Sequence, residues 1–225
     1  MSLIGAVVVP AAPALLPGLG GLADPLRDVR EAARRSIESA CAAAPIASLI
    51  AVSGQGEGPS EWPIDAPSGA ARFTTGRVPH GALPAGLEIA RMLLPEGRSA
   101  RLVGVAQDAA PQECLAVGRD LVADGPVVLV VVADGSATRT LKAPGHFDER
   151  AEAFDATIAR ALAEVDGPAL AAIDPDLASA LWCRGRAALQ VLAGAVEGSE
   201  SPLRGQVDLD EAPYGVGYFV ARWSS

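Results

Sequence analysis

The chain has no asparagine and a single lysine, Lys142, in 225 residues. Alanine, glycine, proline and arginine take their places, which is the coding bias of a GC-rich genome and carries no functional meaning. With little lysine, a net charge of −9 and arginines scattered rather than gathered in a stripe, nucleic acid is excluded as an expected partner. No apolar run approaches the ~18 residues of a membrane-spanning helix, so no membrane role is expected. The apolar segment 1–20 lacks a basic start and is cut by prolines, so it does not read as a signal peptide. The three cysteines, Cys41, Cys114 and Cys183, are odd in number and far apart. That excludes a disulfide framework and paired zinc spacing; free buried thiols in a cytoplasmic protein are expected. Histidine is scarce too, with only His80 and His146.

Half of the residues are hydrophobic, enough for one domain with a full core over 1–225. The most telling stretch is 127–166. Six apolar residues, 127–132, mostly β-branched, are bounded by Gly125-Pro126 and Asp134-Gly135, as in a strand buried on both faces. A polar loop follows. Then Asp148 stands as an N-cap before a helix with Phe154, Ile158, Leu162 and Val165 on one face.

Further strands are expected over 3–9, 46–52, 101–106, 169–173 and 214–222. Helices are expected from Asp24, with Pro25 first, over 83–94 and 112–123, and from Asp174-Pro175 to about Gly194. Residues 60–84 lack periodicity and read as a long excursion with a hairpin near 71–75. The segment before 214 reads as turn-rich. Alternating strands and helices give an α/β class, a mixed, mostly parallel sheet between helix layers.

Loops at the ends of strands one, two and four would lie along one edge if those strands are parallel. They carry Pro10 to Pro13, Ser53 to Gly58 and Asp134 to Arg139. The glycines 54, 56 and 58 lack the Lys-Ser/Thr of a P-loop and the spacing of a dinucleotide fingerprint. Asp134, Ser136 and Asp148 offer either an oxygen-rich site or turn and cap chemistry. Ser136 has no visible base for nucleophilic work. An iron site of two histidines and a carboxylate would use both histidines of the chain.

Three segments in order resemble the catalytic B-subunit family of class III extradiol ring-cleavage dioxygenases, the protocatechuate-type and Memo-like superfamily. They are Val9-Pro-Ala-Ala-Pro13 with Leu15-Leu16-Pro17; Ile50-Ala-Val-Ser-Gly-Gln-Gly56; and the 127–166 stretch with Pro144-Gly145-His146-Phe147-Asp148-Glu149-Arg150 and Phe154-Asp155. The ending Pro213-Tyr214-Gly-Val-Gly-Tyr218 matches as well.

The resemblance implies a three-layer α/β sandwich and a pocket formed by Ala11, Gln55, Glu57, Asp134, Ser136, Arg139 and His146. It also implies histidines where this chain has Ala11, Gln55 and Arg139. Alanine cannot ligate a metal, and glutamine is a poor substitute for imidazole at iron. The expectation is a relative that has lost its iron and holds no cofactor, binding a small molecule in the old pocket or serving as a partner subunit. The alternatives are an active Fe²⁺ or other divalent-metal dioxygenase with relocated ligands His80, His146 and Asp134 or Glu57, and an interaction protein with a filled pocket. A homodimer is expected by resemblance alone.

Overall fold

The computed structural model describes residues 2–21, 24–55, 60–197, 199 and 202–225. All statements of absence below concern these residues. The strands are β1 (Ser2–Val9), β2 (Ser48–Gln55), β3 (Ser60–Trp62), β4 (Arg101–Ala106), β5 (Pro126–Val132), β6 (Arg204–Glu211) and β7 (Tyr218–Ser224). They form one sheet in the order β3-β4-β2-β5-β1-β7-β6. The central four, β4, β2, β5 and β1, are parallel, and antiparallel strands are added at both sides. This is the mixed, mostly parallel sheet that the strand–helix alternation predicts.

Seven helices flank it: α1 (Arg27–Ala43), α2 (Ala85–Leu93), α3 (Pro111–Leu121), α4 (Ala151–Glu164), α5 (Gly167–Ala171), α6 (Pro175–Ala180) and α7 (Arg186–Val196). Strand β5 shows why two helix layers are needed. Val127, Leu129 and Val131 enter one core with α3, α4 and α7, while Val128, Val130 and Val132 enter the other with α1 and α2. A strand apolar at every position has no face for water, so both sides must be covered. On α1, Val29, Ala33, Ile37 and Cys41 recur at helical spacing and are buried. Helices α3 and α7 touch backbone to backbone. A Cβ on Gly118 would collide with the Val191 carbonyl, and one on Gly194 with the Leu115 carbonyl.

Several local expectations need correction. Residues 169–173 do not form a strand but lie within and just beyond α5, where Asp166 caps Ala169 N–H at 2.9 Å and Pro168 opens the turn. The stretch before 214 holds strand β6, whose exposed polar residues mask its alternation. The last strand starts at Tyr218 rather than 214. The helix after Asp174 is capped as expected but breaks into α6 and α7. Trp182 takes a left-handed backbone (φ 56) at the break, and a Cβ on Gly185 would strike the backbone of Asp134. Helix α1 starts at Arg27, beyond Asp24-Pro25; the Asp24 carboxylate instead grips both Nη atoms of Arg30 at 2.7 Å. A 3-10 turn, Ala70–Phe73, replaces the hairpin expected near 71–75.

Candidate functional site: a cleft at the strand ends

Parallel pairing brings the ends of β1, β5 and β2 level, with Val9 opposite Val132 and Val132 opposite Ser53. The loops beyond them meet around a cleft of about 900 Å³. Its floor carries Ala11, Ser53, Gly54 and Asp134. One wall comes from the 60–84 excursion through Trp62, Arg72 and Phe73, and the opposite wall from Trp182 and Arg184 at the α6–α7 break. Tyr218, at the start of β7, closes the base.

The excursion is held in place by α2. Buried Glu88 accepts the Gly69 N–H at 2.5 Å and the Ser68 hydroxyl, and Arg91 donates to the Ala66 carbonyl at 2.6 Å. Arg72 is fixed by the carbonyls of Gly69 (2.8 Å) and Leu83 (2.6 Å), and no carboxylate pairs with it.

Asp134 is the most perturbed group in the cleft. Its Oδ1 accepts the Ala11 N–H at 2.7 Å, and its other oxygen has no protein partner among the described residues. Burial pushes the carboxyl up to about 7 against the pull of the Ala11 N–H, and the nearby Asp155 charge adds to the rise. Tyr218 is raised as well, first by burial and then by Asp134 and Tyr214. A carboxyl that titrates near neutrality can donate or accept a proton around pH 7.

The rest of the 134–139 loop faces elsewhere, which corrects the expectation that Ser136 and Arg139 line the pocket. Ser136 is fully buried. Asp155 of α4 accepts its N–H at 2.7 Å and its hydroxyl at 2.8 Å, and also accepts from Arg139 Nη1 at 3.2 Å. Burial raises the Asp155 carboxyl despite these three donors. Gly135 and Gly217 leave room for it: a Cβ on either would lie 2.6 or 2.5 Å from its oxygens. The loop is stitched to 215–217 by Gly135 N–H to Gly217 O and Gly217 N–H to Ser136 O, both 2.8 Å. Asp155 is therefore the keystone of a structural knot.

His146, also expected in the pocket, is exposed on a left-handed residue (φ 61) outside the cleft lining. His80 is exposed on its own turn. Among the described residues no three His, Cys, Asp or Glu side chains gather as a metal would require, so His80, His146 and Asp134 do not form the alternative ligand set. Asp148 binds Arg150 through N–H and guanidinium, which holds its carboxyl down at about 2. Gln55 ends β2, but its side chain and Glu57 lie outside the described residues.

An iron of the kind the resemblance implies does not fit the positions that can be placed. Ala11 offers only its backbone, already spent on Asp134, and Arg139 is a cation bound to Asp155. The three cysteines are free and buried, as expected.

Sequence reasoning did not find Trp62, Arg72, Phe73, Trp182, Arg184 and Tyr218. The only signals were the Pro, Gly and Trp content of 60–84 and the glycines around Tyr218. No helix is long and apolar enough to cross a membrane.

No protein-family model matches the chain, and no curated protein matches it. Among solved structures it is similar to that of an uncharacterized protein, JW3007, from Escherichia coli K12, with 14% identity and a TM-score of 0.52. The match covers 99% of this chain and 100% of that one. At that identity the likeness is one of fold.

Proposed function

We propose that the protein binds a small organic molecule in the strand-end cleft, as an extradiol-dioxygenase-like relative that has given up its iron ligands. The observation that carries this reading is the cleft itself. It is open, walled by Trp62, Phe73 and Trp182, and presents one unshared carboxyl oxygen of Asp134. Aromatic walls with a few polar anchors are the usual makeup of a small-molecule site. Among the described residues no side chain fills it. Asp134, near its midpoint at neutral pH, can meet either a donor or an acceptor on the ligand.

Two measurements test this. Metal analysis of the purified protein is expected to find far less than one equivalent of iron, zinc or manganese. Stoichiometric metal, lost on His80→Ala and His146→Ala together, would restore the active-dioxygenase alternative. Separately, Trp62 and Trp182 face the cleft while Trp223 is buried in the core, so tryptophan emission reports occupancy. Saturable quenching by small phenols such as catechol, altered in affinity by Asp134→Asn, is expected. Linear quenching that is identical in both proteins would count against the cleft as a binding site.

A further inference from the structure

A second pocket of about 510 Å³ opens beside the cleft, where the end of β4 meets the α6–α7 break. Gln107, Trp182 and Arg184 border both spaces. Its deep wall is Arg186, only 4% exposed. Arg186 Nη1 donates to Ala109 O (2.7 Å) and Gln190 Oε1 (2.8 Å), and Nη2 donates to Gln107 O (2.6 Å). All of these are neutral acceptors. Among the described residues no carboxylate pairs with this guanidinium; its remaining neighbour is the buried, neutral thiol of Cys114. A buried cation without a counter-charge is costly, and a pocket at its side is where the counter-charge can come from.

The surroundings reinforce the sign. Arg184 lines the same pocket and has no ion pair of its own among the described residues. Helix α7 begins at Arg186 with no side-chain cap and no acidic residue in its first turn. The Gly185 and Arg186 N–H groups at that helix start are directed at Cys183, whose thiol is pushed up to about 12 by burial and stays neutral. No acidic side chain caps the positive end of the helix dipole, although Asp134 and Asp155 lie near enough to Cys183 to raise its thiol further. Asp108 and Asp176 also line the pocket, but both are exposed at its mouth. Charges in water are screened within about 8 Å at physiological salt, whereas the buried guanidinium is not.

We propose that this pocket is an oxyanion subsite, in which Arg184 and Arg186 hold a phosphate or carboxylate group of a small molecule. The site stands on different residues from the cleft floor, so it can fail while the cleft reading holds, and the reverse. Arg186 supplies the fixed, desolvated fork, and Arg184 closes over the anion from the solvent side.

The test is calorimetric titration of the full chain with inorganic phosphate and, separately, with acetate, at constant ionic strength. The wild type is expected to bind one of them saturably. Arg184→Gln, at an exposed position that folding does not depend on, is expected to weaken binding tenfold or more. Arg160→Gln, an exposed arginine of α4, should leave it unchanged. Neutralising the mouth with Asp108→Asn and Asp176→Asn should tighten it a few-fold. Stronger binding of phosphate points to a phosphorylated ligand, and stronger binding of acetate to a carboxylate. The proposal is overturned if neither anion binds saturably, if Arg184→Gln binds as tightly as wild type, or if Arg160→Gln loses as much.

Discussion

Replacing Asp134 by Asn should change how stability depends on pH, and the size of the change follows from the site. The folded carboxyl titrates at about 7 rather than the ordinary 3.8, chiefly because burial disfavours its charge. A raised folded value means the native state holds its proton longer than the unfolded chain does. The proton's contribution to stability is therefore complete below pH 3.8 and is lost as pH rises through 7. At ~1.36 kcal/mol per pH unit, that interval amounts to about 4 kcal/mol. Water in the cleft reduces it, so a loss of about 2–4 kcal/mol between pH 4 and pH 8 is expected. Asn keeps the shape and can still accept the Ala11 N–H, but has no charge to bury. Urea midpoints measured from pH 4 to 8 should coincide for the two proteins at pH 4 and diverge upward, with Asp134→Asn the more stable at pH 8. Parallel curves across that range would refute the reasoning, since they would show that Asp134 ionises freely. A residue that weakens the fold at neutral pH is a better candidate for function than one that strengthens it.

Other outcomes follow from the knot around Asp155. Asp155→Ala leaves the two Ser136 donors unpaired in the interior and leaves Arg139 only its longer contact with Glu152, and should cost about 3–5 kcal/mol in denaturant unfolding. Ser136→Ala should cost only about 1 kcal/mol and leave cleft binding unaltered; a lost binding signal in a stable Ser136→Ala protein would return that serine to the site. Gly217→Ala forces a methyl against the Asp155 carboxylate and should destabilise by about 1–3 kcal/mol, seen as a lowered Tm. All three thiols are buried, and Cys183 is held neutral, so a disulfide reagent should find none in the folded protein and three in urea. Rapid labelling of one thiol without denaturant would contradict that.

The sheet was legible where a segment had to satisfy one strong local demand. The 127–132 run could only be a strand buried on both faces, and glycine and proline punctuation marked where β1 and β2 end. The failures have equally local causes. The apolar residues 169–173 suit a short strand or a short helix, and the deciding features were Asp166 and Pro168, the same cap-and-proline pattern that reads correctly at Asp174 and Pro175. The break before α7 was invisible because what imposes it is distant: Gly185 lies against the backbone of Asp134, some fifty residues earlier. The cleft walls were missed for a related reason. Trp62 and Arg72, Arg184, and Tyr218 come from three separate segments, and no spacing along the chain encodes their meeting. Asp155 looked like part of a sequence signature and proves to be the group that organises the loop after β5.

The outer strand β6 carries a consequence for how copies of the chain could associate. Its outward residues Arg204, Gln206, Asp208, Asp210 and Glu211 are all exposed, and only Gly205, Val207 and Leu209 turn partly inward. A free edge with acids gathered near one end repels an identical edge brought against it parallel and in register, where Asp208, Asp210 and Glu211 would face their own copies. Stacking of copies with every β6 in the same direction, the arrangement that fibrous growth repeats, is thereby disfavoured.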